Sequence, residues 1–178
     1  MSKPETRKKL QKSDLDAFFT MMETCKLRFR TLEDIDNLSF LIMSFFIKKK
    51  KVLTGFYALA LNAVEHGILQ IGYERKAELI AENKWQEEIN KRLIDPKFKD
   101  TFAELMISRK DGGTYIIITD PGEGFDWKKY ITVDPARSGQ NHGRGISLAK
   151  NLSFDKLNYN ETGNQVVAYV SDEEEFGW

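Results

Sequence analysis

The chain has 178 residues, a length that suits one domain whose core can form without disulfides or metal. Hydrophobic residues make up 41% and charged residues 30%, a globular composition rather than a disordered or fibrous one. Lys plus Arg number 27 and Asp plus Glu 27, which argues against a direct nucleic-acid binder, while a lone cysteine, Cys25, excludes an internal disulfide and any Cys/His zinc site.

Residues 1–24 read as a polar, basic tail followed by a short amphipathic helix. The first ten residues lack the apolar core of a signal peptide. Ser13 and Asp16 have capping-box spacing, and Leu15, Phe18, Phe19 and Met22 recur at i, i+3, i+4 and i+7. Such a stripe suits packing on a partner or a second copy of the chain. Cys25 to Thr31 alternates apolar and charged residues, so a half-buried strand is expected. Thr31 and Asp34 then cap a helix running to about Lys50, with its lysines at the negative end of the dipole. That helix holds the most apolar stretch, Leu38 to Ile47, which is half the length a bilayer needs (about 20 residues). A buried helix without a membrane role is therefore expected, and a cytoplasmic location.

A second helix is expected over Val52 to Gly67 and a third over Glu74 to Leu93, ended by Asp95-Pro96. Phe102 to Arg109 and Thr114 to Asp120 read as strands joined through Lys110-Asp-Gly-Gly113. Residues 121–142 form a long loop rich in Gly, Pro and charge, of a kind that is usually functional. A helix start follows from Gly143 to about Leu152, then a hairpin of Phe154 to Asn160 and Gln165 to Ser171. Residues 172–178 are an acidic tail. The element order indicates an α+β two-layer sandwich.

Three motifs carry chemistry. In Ala58-Leu-Ala-Leu-Asn62-Ala-Val-Glu65-His66-Gly67, the residues Leu53, Phe56, Ala60, Ala63 and Val64 give an apolar helix face, and Ala58, Asn62, Glu65 and His66 share another. The amide oxygen of Asn62 suits a hard cation such as Mg2+ beside a phosphate chain. In Ile116-Ile-Ile-Thr-Asp120-Pro-Gly122-Glu-Gly124-Phe125-Asp126, a carboxylate ends an apolar strand. Asp120 there suits an exocyclic amino donor, and Gly122 and Gly124 let backbone approach a flat ring. In His142-Gly143-Arg144-Gly145-Ile146, glycines at a helix start leave amides free for anions. Read singly, each is as ordinary as a polar helix face, a turn or a glycine loop. Neither a Walker phosphate loop nor a dinucleotide glycine fingerprint is present. Two serine-nucleophile patterns at Ser147 lack their companion residues.

Taken in this order, the motifs resemble the N, G1 and G2 boxes of the superfamily uniting gyrase, the heat-shock chaperone, histidine kinases and mismatch-repair ATPases (GHKL). Asn62 to Gly67, Asp120 to Asp126 and Gly143-Arg-Gly145 look most like the anti-sigma-factor serine kinases, with Phe154-Asp155 and Gly163-Asn164 in support. The stretch from Gly72-Tyr73 to Arg92 resembles the long-helix variety found attached to receiver domains. The resemblance covers residues 25–171. It implies a histidine-kinase-like (Bergerat) ATPase domain: a mixed, mostly antiparallel sheet with helices on one face.

The resemblance further implies ATP between the Asn62 helix and the loop after Asp120. Asp120, helped by Asn164, would contact adenine, and Asn62 would hold Mg2+. Residues 126–142 would form a lid, with Gly143, Arg144 and Gly145 amides and the cations Arg137, His142 and Arg144 facing the phosphates. His66, Gly122, Gly124 and Phe125 complete the binding set. Implied partners are ATP or ADP and a sigma factor or anti-anti-sigma protein, with a homodimer as a further option from family habit. The chain departs from the family at Ala58, where relatives carry a glutamate that acts as general base. Three readings follow: a nucleotide-dependent partner switch with weakened or absent catalysis, an active serine/threonine kinase, and an interaction module without nucleotide.

Overall fold

The structure, a computed structural model, describes residues 17, 21–46, 50–110, 112–128 and 149–172. Strand β1 (Thr24–Phe29) ends two residues earlier than the alternation suggested. Arg30 and Thr31 leave the strand because Thr31 is the N-cap of helix α1 (Leu32–Phe45). The expected capping box is present. Thr31 Oγ1 accepts from the Asp34 amide at 3.0 Å, and Asp34 Oδ2 accepts from the Thr31 and Arg30 amides at 3.0 and 2.9 Å. Burial pushes the Asp34 carboxyl up, but these backbone donors outweigh it and hold it below its ordinary value.

Helix α1 stops at Phe45, not Lys50. Phe46 leaves helical geometry at φ −121° and ψ 47°, with its amide bonded to the Ile42 carbonyl. Lys50 and Lys51 therefore open helix α2 (Lys50–Asn62), at the end of a dipole that disfavours cations, and the expected dipole match is lost. The apolar stretch of α1 is also only half interior. Leu38 and Ile42 are buried, whereas Phe40 is 69% exposed and Met43 47%. Among the described residues, no single helix is long and apolar enough to cross a membrane.

The α2 backbone continues past Asn62 into a π-helical turn, Ala63–Ile68, in which the Leu69 amide reaches the Val64 carbonyl at 2.9 Å. The expected third helix is two helices, α3 (Tyr73–Ala81) and α4 (Trp85–Ile94). Asn83 breaks them in the left-handed region at φ 55°, a conformation asparagine accepts more readily than most residues. Strands β2 (Ala103–Lys110) and β3 (Gly113–Thr119) form the expected hairpin, turned at Gly112 with φ 84°. After a π-turn, Ala149–Ser153, strands β4 (Lys156–Tyr159) and β5 (Gln165–Ser171) complete the sheet.

The five strands lie in the order β1-β2-β3-β5-β4. Every pairing among the described strands is antiparallel, so the mixed pairing implied by the resemblance is not found there. One face is the core. Leu105 and Ile107, Ile116 and Ile118, and Val166, Ala168 and Val170 are buried against Ile35 and Ile42 of α1, Phe56 and Ala60 of α2, Leu79 and Ile89. Each fully buried Leu, Ile or Phe contributes about 1.5–3 kcal/mol. This α+β arrangement is compatible with a two-layer fold. A close approach seats α2 on the turn before β4: a Cβ on Gly55 would lie 2.4 Å from Ser153 Cβ and 2.6 Å from the Phe154 ring.

Candidate functional site

The C-terminal end of α2, the end of β3 and the β4–β5 hairpin enclose a cavity of about 640 Å3. That volume lies within the range of small-molecule sites (about 300–1,000 Å3). Asn62, His66, Asp120, Gly122, Gly124, Phe125 and Asn164 all line it, so two motifs far apart in sequence meet on one wall system. Arg137, His142, Gly143, Arg144 and Gly145 lie outside the described residues, as do Leu15, Phe18 and Phe19 of the N-terminal stripe. Met22 is half-buried against the core.

The strand places Asp120 at its mouth-ward end, where its amide bonds the Asn164 carbonyl at 2.9 Å. Its Oδ1 accepts the Gly122 amide at 2.9 Å, while Oδ2 has no protein donor among the described residues. Burial pushes the Asp120 carboxyl up to about 6, and the Gly122 donor opposes this only in part. Two glycines make room for it. A Cβ on Gly67 would sit 2.4 Å from the Asp120 carboxyl, and one on Gly122 would sit 2.8 Å from its Oδ1. Gly124, at φ 79°, passes so close to Thr162 that a Cβ would come within 2.0 Å of its carbonyl oxygen. We expect Gly67→Ala to displace the Asp120 carboxyl and lower stability by about 1–3 kcal/mol, read from urea unfolding. A variant as stable as the native chain would mean that the α2 end and β3 separate at no cost.

Asn164 lines the cavity, yet its amide is engaged. Its Nδ2 donates to the Asp120 and Gly122 carbonyls at 3.3 and 3.5 Å, and its Oδ1 accepts from Asn160 at 2.8 Å. It braces the Asp120 loop from the neighbouring strand. Asn160 in turn accepts the Gly163 amide at 2.7 Å, fixing the hairpin turn. On the far side, Phe125 and Trp127 pack on Tyr159, with ring centroids 5.5 and 5.8 Å away. Trp127 also donates to the Asn160 carbonyl at 2.9 Å, which anchors the chain where it leaves for residue 129. Burial first, and then the Asp120 charge, raises the Tyr159 hydroxyl above its ordinary value.

The π-turn changes the predicted helix face. Ala58, Asn62 and His66 line the cavity, but Glu65 does not. Widening the ladder to i→i+5 rotates Glu65 inward, where it is fully buried. There it accepts from Lys76 Nζ and Trp85 Nε1, both at 2.5 Å. This pair clamps α3 and α4 to the cavity helix. Consequently Tyr73 and Lys76 also line the cavity, although nothing in their local spacing marked them. His66 donates from Nδ1 to the Ile71 carbonyl. Burial lowers its pKa despite that bond, so the ring is neutral near pH 7 with Nε2 as an acceptor. Among the described residues, no group of three His, Cys, Asp or Glu side chains could hold a metal ion. Asn62 is the one hard-oxygen donor of the α2 end that faces the cavity.

No family model matches the sequence, and no curated protein matches it.

Proposed function

We propose that this chain is an ATP-binding regulator of the anti-sigma-factor kind, acting as a nucleotide-dependent partner switch. The observation that carries it is Asp120: a part-buried carboxylate in a cavity wall, braced on one oxygen and without a protein donor on the other. An acceptor of that kind pairs with the exocyclic amino group of adenine. Gly67 and Gly122 leave room for the carboxyl itself to sit in the cavity wall against the end of α2.

The donors present fit Mg2+ held mainly by a phosphate chain. Such a cation takes one or two protein oxygens and completes its shell with phosphates and water, and the Asn62 amide oxygen would be one of them. Bound Mg2+ would neutralise phosphate charge. The phosphate end falls to Gly143, Arg144, Gly145, Arg137 and His142, through backbone amides and cationic side chains. Residues 126–142 would form the lid, rooted by Trp127, and its position would set the surface offered to a sigma factor or anti-anti-sigma protein. Ala58 cannot accept a proton, and Glu65 is buried in a pair with Lys76, so phosphoryl transfer is weak or absent.

Calorimetric titration with Mg-ATP and Mg-ADP tests the reading. Saturable binding of both, at one site per chain, is the expected result. Absence of heat and of any thermal stabilisation by either nucleotide would overturn it, and leave a nucleotide-free interaction module. Rapid transfer of γ-phosphate to a serine of a partner would instead identify an active kinase.

A further inference from the structure

The sheet face turned away from the helices is laid out in rows by the strand register. One row places Lys26 beside Met106, Ile117 and Val167. The next places Ser108 beside Tyr115, Tyr169 and Lys156, and Lys110 stands two residues further along β2. Met106, Ile117, Val167 and the two tyrosines are half-buried, and the tyrosine ring centroids are 4.9 Å apart. The three lysines at the margin are exposed. Lys110 Nζ lies 5.7 Å from the Tyr115 ring and Lys156 Nζ 5.6 Å from the Tyr169 ring.

The chain is neutral as a whole, but this face is not. Among the described residues, no carboxylate pairs with Lys26, Lys110 or Lys156. The row on the far side of Met106 is internally matched: Arg28 pairs with Glu104 at 3.3 Å, and Gln165 donates to Thr119 at 2.9 Å. An apolar, partly aromatic centre with an unneutralised cationic rim is the anatomy of a protein interface. Strand spacing and register set the three lysines at the corners of a triangle with sides of roughly 13–20 Å. No short acidic run meets all three. An α-helix does, since it rises about 1.5 Å per residue, and acids about nine to thirteen positions apart span those distances.

We propose that this face docks an acidic amphipathic helix of a partner protein. The helix lays an apolar stripe over Met106, Ile117, Val167 and the tyrosine pair, and its flanking carboxylates meet Lys26, Lys110 and Lys156. A second copy of this chain fits less well, because face-to-face stacking sets like charges together. The apolar side chains are half-buried rather than protruding, which suits a packed helix better than insertion into lipid. The proposal does not rest on nucleotide binding, since the cavity lies on the opposite side of the sheet, lined by Ile118 and Val166.

The probe is a labelled, helical 16-residue peptide with leucines along one stripe and glutamates on both flanks. Fluorescence anisotropy with the intact chain is expected to show saturable binding that weakens about tenfold between 50 and 300 mM salt. A Lys26→Glu, Lys110→Glu, Lys156→Glu variant should lose at least about tenfold in affinity, and Lys→Gln at the same positions should lose an intermediate amount. All three ammonium groups are exposed, so both variants should keep the native urea midpoint. A peptide with lysine at every glutamate should reverse the order, binding the charge-reversed variant better than the native chain. Amide shifts in the nuclear magnetic resonance spectrum should centre on β2, β3 and β5. Absence of saturable binding, equal affinity for native and charge-reversed chains, or shifts centred on α1 and α2 would overturn the proposal. A native dimer that the triple variant loses would overturn it in favour of a second copy. Binding to phosphatidylserine vesicles without binding to the peptide would overturn it in favour of lipid.

Discussion

Replacing Asp120 by Asn is expected to abolish most nucleotide affinity while making the nucleotide-free protein more stable. Both effects come from the same carboxylate. Its pKa is raised from 3.8 to about 6, first by burial, with the Gly122 amide opposing. The folded state therefore holds the proton more tightly than the unfolded chain. Stability from this group is fully present below about pH 4 and is lost as pH rises through 6. Asparagine keeps an acceptor for the Gly122 amide and carries no charge to desolvate. The variant should exceed the native protein in urea midpoint at pH 7.5, and the gap should close by pH 4.

Binding moves the other way. Asparagine must either turn its amide donors toward the ligand's amino donor or give up the Gly122 bond. Loss of a charged hydrogen bond costs about 1.5–3 kcal/mol, or roughly one to two decades in affinity. Native affinity should also weaken as pH falls below about 6, where the acceptor is protonated. A variant that loses stability at pH 7.5 and binds Mg-ATP as the native chain does would make Asp120 a turn residue and nothing more. A residue that costs stability in the empty protein and yields affinity in the loaded one marks a binding site.

Much of this layout was legible in the residues, and the reasons are local. The Thr31–Asp34 capping box, the Lys110–Gly113 hairpin and the alternation in β1 each depend on neighbours a few positions away. So does the end of β3 at Asp120, the one carboxylate closing a run of isoleucines. The failures are tertiary. Nothing between Asn62 and Gly67 announces a π-turn. It forms where Glu65 finds Lys76 and Trp85, partners 11 and 20 residues later. That pairing turned a residue expected on the cavity face into a buried clamp, and it brought Tyr73 and Lys76 to the cavity. The split between α3 and α4 has only Asn83 as a local sign. Phe40 and Met43 look like core by composition, and only the path of α1 leaves them outside. The phosphate end proposed for Gly143 to Gly145 rests on the motif, since those residues lie outside the described ones.

The remaining large effect is expected at Ala58. Introducing Ala58→Glu should raise ATP turnover about 10²- to 10⁴-fold, the usual worth of a general base, with little change in nucleotide affinity. Ala58 lines the cavity one helical turn before Asn62, and it also borders the groove between α1 and α2 that holds Asp36 and Tyr57. In the proposed arrangement a carboxylate there would stand where a water or a serine hydroxyl approaches the phosphates, and the adenine contact proposed for Asp120 would be untouched. Position 58 is only half-buried, so the longer side chain needs no cavity in the core, and glutamate costs the helix a few tenths of a kcal/mol. The control is Ala58→Gln, which matches glutamate in size and cannot take a proton. Turnover that rises in Ala58→Glu and stays low in Ala58→Gln identifies proton acceptance as the missing function. Equal turnover in all three proteins at the rate of an active kinase would show that positioning and metal suffice here, and would overturn the switch reading. Low turnover in all three, with binding intact, would place the deficit elsewhere in the phosphate end and defeat the assignment of Ala58 as its cause.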